Sequence, residues 1–367
     1  MLSLFRMLPV FLWLFASFQP LSAQYAEQIN VARNLFATFV HQNQIPGAAI
    51  SVAVRGEIVW SHGIGLADLE QGVPVDPSKT LFRVGSVSKP FTAFVLARFV
   101  DLGKIDLDAP IQRYVPDFPI KKYSFTLRQL GGHLAGIRHY RGNEFENTRY
   151  FPSVREGLSL FLEDSLMHEP GTRYLYSSYG WNLLSLALEN AAGKPFLDLV
   201  EEEVFQRIGM ASTHADVNQQ IIPYRARFYE KYKDRTTWII RNANYVDNSY
   251  KWAGGGFLST TEDLLRFAQA HSGNWFLSDR ILRELFTPQR TKDGKSTDYG
   301  IGWESGTYLG EPWMGHSGGS VGGVTQLIIF PQKGVSVAVL TNLSPVDYQG
   351  VHRKIASLFF PQTIPAK

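Results

Sequence analysis

Strand-like segments stand at both ends of this chain, and helical ones fill its middle. "GAAISVAV" (Gly47–Val54) and "EIVWSHGIGLAD" (Glu57–Asp68) read as strands joined by the turn Arg55-Gly56. Far downstream, "GIGWESGTYL", "VTQLIIF" and "VSVAVLTN" read as three more. The last two are linked by Pro331-Gln332-Lys333-Gly334, a hairpin-type turn. Short strands at the two ends bury their apolar residues only by pairing with each other. The spacing therefore predicts one sheet built from distant segments, with a helical lobe inserted between them.

Helical periodicity runs from Tyr25 to Val40, where Ile29, Ala32, Leu35, Phe36, Phe39 and Val40 recur on one face. A second helix follows Ser86 and is expected to end near Gly103, a residue suited to a C-terminal cap. The stretch from Asp106 to about Asn248 reads as loops and helices. "GWNLLSLALENAAGKP" is its clearest helix, closed by Gly193 and Pro195. "TEDLLRFAQAHSGN" and "YQGVHRKIASLFF" complete the set. No repeat or flexible linker divides the chain. One domain over residues 24–367 is expected, its sheet lobe at about 24–90 and 255–367 and its helical lobe at about 91–254.

The first 23 residues are set apart. Arg6 is their only charge, Met7 to Phe18 is apolar, and Leu21-Ser22-Ala23 is a small-residue exit. That is the layout of a secretory signal cleaved near Ala23, which puts the mature protein in the periplasm or outside the cell. The apolar run is shorter than the ~18 residues that span a bilayer, so an uncleaved anchor is the lesser alternative. Cysteine is absent, which removes disulfides, thiolate metal sites and a cysteine nucleophile together. The net charge of +3 is mild and its basic residues scattered, so no nucleic-acid partner is expected.

One tetrapeptide carries chemistry. Ser86-Val87-Ser88-Lys89 is the chain's single Ser-x-x-Lys, and Pro90 follows at once. Proline has no backbone N–H, and only a helix's first turn has none to lose. Pro90 thus fixes a helix start near Ser86. Residues three apart share one face, so hydroxyl and amine can meet. The partial positive charge of the helix start favours an alkoxide and disfavours a protonated lysine. Burial adds to that, and a neutral Lys89 can take the serine proton. Taken by itself the tetrapeptide also suits a helix-capping serine beside a solvated lysine.

Rival sites are weaker. The nine histidines form no His-x-His and no His-Glu-x-x-His, so no metal is expected. "GGSVG" (Gly318–Gly322) fits a nucleophile elbow at Ser320, with Asp347 and His352 downstream. An elbow needs a helix directly after its serine. Here the strand-like "VTQLIIF" follows instead.

Six segments in order resemble landmarks of the serine β-lactamase and penicillin-binding-protein superfamily, in its class C-related branch. They are "VGSVSKPFTA", "LGKIDLDAPIQRYVPDFP", "TLRQLGGHLAGI", "EPGTRYLYSSYGWNLL", "AGGGFLSTTEDLLRF" and "HSGG". "GIRHY", "RARFY" and "YVDNSYKWAGGGFLST" resemble its mitochondrial serine β-lactamase-like branch more narrowly. The resemblance implies an α/β (α+β) fold of the β-lactamase/transpeptidase type. That is a helix–sheet–helix sandwich with an antiparallel sheet and an inserted all-helical lobe. It also implies Ser86 as nucleophile, Lys89 as its base and Tyr176 as second proton carrier, a phenolate favoured by the lysine cation. The backbone N–H groups of Ser86 and Gly319 would form the oxyanion hole. Ser178, His316 and Ser317 would contact substrate.

Two departures stand out. Ser178 occupies a place where the family often has asparagine, and offers one donor instead of two. His316 stands where β-lactamases have lysine, and histidine is mostly neutral at pH 7. That weakens carboxylate selection. The expectation is an acyl-enzyme serine hydrolase for peptide, amide or ester substrates, with neither metal nor organic cofactor. The alternatives are an idle peptide- or cell-wall-binding protein on the same scaffold, and a true β-lactamase or D-Ala-D-Ala carboxypeptidase.

Overall fold

The two ends of the chain meet at the centre of one sheet. The computed structural model describes residues 21–273 and 275–361; positions 1–20 of the expected signal lie outside them. The seven-stranded sheet runs in the order Val73–Pro74, Glu57–Asp68, Gly47–Val54, Val335–Thr341, Gly323–Phe330, Glu311–Ser320, Glu304–Tyr308. Every pairing in it is antiparallel. At the junction Ala48 faces Thr341 and Val54 faces Val335. Both strands at this junction are buried along their whole length. Such near-continuous apolar runs follow when both faces of a sheet are covered.

The covers are helices. Ala26–Gln42 and Val351–Leu358 lie on one face, where Phe36, Ile50, Val52, Val337 and Ile355 share a core. Ser88–Asp101 and Thr261–Gln269 lie on the other, with Phe91, Phe94, Leu264, Ala338 and Leu340. This is the helix–sheet–helix sandwich with an antiparallel sheet. Local signals account for the boundaries. Arg55 and Gly56 both take positive φ, 53° and 85°, as a two-residue hairpin turn requires. The Thr260 hydroxyl accepts the Asp263 N–H at 3.1 Å and opens Thr261–Gln269. The Ser177 hydroxyl does the same for Ser178–Ala192, which Gly193 closes at φ 66°.

Three expectations need correction. The helix after Ser86 begins at Ser88; Gly85–Val87 is a 3-10 turn that leads into it. Of "GIGWESGTYL" only Glu304–Tyr308 is strand, because Gly302 at φ 79° turns the chain before it. The inserted region is not all helical. Tyr229–Asp234 and Thr237–Asn242 form a hairpin, and Leu343–Ser344 pairs in parallel with its first strand. Its turn gives no glycine signal: Arg235 takes φ 50° there.

Candidate active site

Glycines let two backbones touch at the lobe junction. Gly85 sits at φ 51°, and a Cβ on it would fall 2.6 Å from the Gly319 carbonyl oxygen. A Cβ on Gly318 would fall 2.0 Å from the Val84 carbonyl oxygen. Side chains at either position would push the Glu311–Ser320 strand away from the Ser86 turn. The contact leaves Ser86 half-buried and Gly319 exposed at the mouth of the cleft.

The N–H of Gly319 points along a free edge. N–H groups alternate sides along a strand. That of Ser317 meets the Glu304 carboxylate at 3.3 Å on the outer side, past the last pairing, Gly315 with Glu304. Gly319, two residues on, shares that side. Ser86 and Gly319 therefore bring two amides to one opening.

Lys89 is the centre of the site. Its Nζ lies 3.0 Å from Ser86 Oγ, 3.1 Å from Ser178 Oγ and 2.8 Å from the Gly254 carbonyl oxygen. The side chain is fully buried. Burial holds its pKa well below the usual lysine range, the charge of Lys251 lowers it further, and Glu304 opposes both.

Tyr176 stands beside this pair. Lys89 Nζ lies 4.7 Å from its ring centre. Burial pushes its pKa well above the usual tyrosine value, and the neighbouring Ser86 side chain only partly opposes this. Burial thus opposes the expected phenolate, and the lowered pKa of Lys89 weakens the cation that would favour it.

The three expected substrate contacts are placed differently. The Ser178 hydroxyl is buried and lies 3.1 Å from Lys89 Nζ. His316 is buried as well. Its Nε2 lies 2.9 Å from the Tyr299 hydroxyl and its Nδ1 2.6 Å from the Ser317 carbonyl oxygen. Burial lowers its pKa, so the imidazole is neutral. The Ser317 hydroxyl donates to Glu304 at 2.9 Å. These side chains shape the cleft's wall; their hydroxyl and ring atoms are engaged by protein. Ser320, the rival nucleophile, is buried and followed by a turn and the strand Gly323–Phe330, not a helix.

Several neighbours escaped the sequence. Lys251 is buried against aromatic rings, with Nζ 4.3 Å from the Phe145 centre. Burial lowers its pKa to about 7, helped by Arg83 and opposed by Asp216. His139 Nδ1 accepts the Ser178 N–H at 3.2 Å, and burial lowers its pKa to about 4. Arg83 binds Asp216 at 2.8 Å and the Val321 carbonyl oxygen at 2.9 Å, which pins the end of the Glu311–Ser320 strand to the Ser86 segment. Lys251 stands three residues before the Gly254-Gly255-Gly256 run, a position that could have drawn notice. Arg83 and His139 carry no such mark. A groove of about 690 Å³ lies by Arg113, Glu189 and Lys194, away from Ser86.

This fold, with a serine and a buried lysine where its lobes join, defines a serine hydrolase class. The chain belongs to the β-lactamase family, whose signature, described as Beta-lactamase, matches residues 32–358. It is 30% identical over 448 residues to the human mitochondrial serine β-lactamase-like protein LACTB, covering 93% of this chain and 81% of that one. It is 29% identical over 330 residues to penicillin-binding protein 4* of Bacillus subtilis, covering 84% and 71%. Among solved structures, a penicillin-binding protein from Bacillus halodurans superposes with a TM-score of 0.75 at 24% identity, covering 88% of this chain and 98% of that one. That likeness bears on the fold. No helix of the described residues is long and apolar enough to cross a membrane.

Proposed function

We propose that this hydrolase works through an acyl-enzyme on Ser86, cleaving a peptide amide or an ester. Lys89 takes the hydroxyl proton as Ser86 Oγ attacks the substrate carbonyl. The oxyanion sits on the Ser86 and Gly319 amides. Tyr176, a phenol at rest, passes a proton to the leaving group and is reprotonated from Lys89. Water then attacks the acyl carbon, its proton returns through the same groups, and Ser86 is restored.

The observation that carries this reading is the bonding of Lys89. A neutral amine has two N–H donors and one lone pair. The Gly254 carbonyl can only accept, and Ser178 can accept the second hydrogen, at 2.8 and 3.1 Å. The lone pair is left for the Ser86 hydroxyl at 3.0 Å. Neutral His316 supports substrates without a carboxylate anchor over penicillins. A fluorophosphonate probe tests the reading. Labelling at Ser86, lost in Ser86→Ala, is expected. An unlabelled wild-type protein would favour the idle binder.

Export belongs to the same reading, since residues 1–23 have the layout of a cleaved signal. The purified mature protein should begin near Gln24. An N-terminus still at Met1 after export would refute cleavage.

A further inference from the structure

A second polar groove, about 510 Å³, lies between the Glu304–Tyr308 edge strand and the helix Val351–Leu358. That helix packs on the sheet face opposite the helix that carries Lys89. The groove is marked by charges that do not meet. The Arg353 side chain makes no hydrogen bond or ion pair among the described residues, and its Nε is buried without a partner. An arginine fork normally finds a carboxylate or an aromatic face when it leaves water. Here it has only the distant flanks of Tyr308 and Trp313, 5.9 and 6.0 Å from their ring centres. The guanidinium folds back over the start of its own helix, within 3.7 Å of where a Gly350 Cβ would stand.

The helix start adds to this. Gly350 supplies no side-chain cap; Val351 and Arg353 donate their N–H groups to the Tyr348 and Gly350 carbonyls, and of the first three amides that of His352 lacks a backbone acceptor among the described residues. His352, only 7% exposed, lines the groove with an Nδ1 that has no partner. Carboxylates line the groove too. Asp347, in the turn that leads into the helix, is exposed and pairs with no cation among the described residues; its Oδ1 takes the Gln349 N–H, at 3.0 Å. Glu304 lines the same groove with a third of its side chain exposed. An anion alone would meet these carboxylates, and a cation alone would meet Arg353. A molecule carrying both charges satisfies both.

We propose that this groove binds a small zwitterion of the amino-acid or dipeptide class. Its carboxylate lies on Arg353 and the helix start, and its ammonium lies toward Asp347 and Glu304. The groove shares Glu304 and His316 with the wall of the Ser86 cleft, but the proposed binding does not depend on the hydrolytic reading.

Calorimetry with glycylglycine tests this on the full-length Ser86→Ala protein, which cannot turn the probe over through Ser86. Saturable one-site binding is expected. Arg353→Gln and the exposed Asp347→Asn should each weaken it about tenfold, the loss of one charge-assisted contact. Acetate and methylammonium, each carrying one charge, should bind at least that much more weakly. Thermal melts of both variants confirm that they fold. Absence of saturable heat overturns the proposal. So does an affinity unchanged in both folded variants, which would assign the binding to another place on the protein.

Discussion

Lys251 should be a measurable burden on folding. Its side chain is buried, its nitrogen faces aromatic rings, and no carboxylate lies within ion-pair distance among the described residues. Folding lowers its pKa from 10.5 to about 7. One pKa unit corresponds to about 1.4 kcal/mol, so holding this amine costs about 5 kcal/mol at or below neutral pH. The sign follows from proton counts. Between about 7 and 10.5 the unfolded chain binds a proton at Lys251 that the folded chain lacks. Wild-type stability therefore rises with pH through that window. Lys251→Met keeps most of the volume and has no proton to lose. The variant should be more stable than wild type near neutrality, and its advantage should shrink by about 1.4 kcal/mol for each pH unit. Urea melts of both proteins from about pH 7 to about pH 9.5 measure this difference. Groups common to both cancel, including tyrosines whose raised pKa values act above that range. Parallel stability curves across the window would refute the reasoning.

The same substitution removes the second cause of the depression at Lys89. Its pKa should rise, and the acid limb of the pH–rate profile should move to higher pH, read as kcat/KM against pH on a neutral ester. Lys89→Met should lower kcat/KM by about 10²–10⁴ yet stabilise the fold near neutrality, which single-turnover kinetics and melts check together. Arg83→Met would strand the Asp216 carboxylate, whose side chain is 1% exposed, and should cost about 3–5 kcal/mol by urea titration. A cost under ~1 kcal/mol would mean that Arg225, 3.6 Å away, already suffices. Gly85→Ala meets the Gly319 backbone and strains a positive φ, so it should lose activity by more than its stability loss explains.

Most of the central sheet was legible in its apolar strands, but Glu311–Ser320, broken by Pro312 and three glycines, was not read as one. Gly47–Val54 and Val335–Thr341 are continuous apolar runs, and their turns, Arg55-Gly56 and Pro331–Gly334, sit between such runs. The hairpin at Tyr229–Asn242 was not, because it alternates no apolar face. Residues 237–242 are all exposed, so no burial pattern is written into them. At the site, Ser86 and Lys89 are neighbours in sequence, and helix geometry alone brings them together. Lys251 reaches Lys89 from across the fold, and Arg83 meets Asp216 at a separation of 133 residues. Spacing holds no trace of such pairs. The burial of His316 against Tyr299 depends on a loop whose path only the fold determines.

The protonation states also change the physical basis of the serine–lysine pair. The sequence offered a helix start and burial as reasons for a neutral Lys89. The structure makes burial the larger cause, with the charge of Lys251 second. The consequence extends over the whole cleft. Lys89, Tyr176, His133, His139 and His316 are all pushed toward their uncharged forms, each chiefly by burial. The resting cleft thus carries almost no formal charge at Ser86. In the proposed reaction, charge appears only with the transition state, as a lysine cation beside an oxyanion on two fixed amides. Those partners attract each other where water is scarce, and the surrounding dipoles need not reorganise to receive them. Substrate binding gains little from this arrangement, since a ground-state carbonyl brings no charge to meet. The cleft is therefore built to favour the transition state over the substrate, and selectivity among substrates must come from the lobes' loops, not from a fixed cation at position 316.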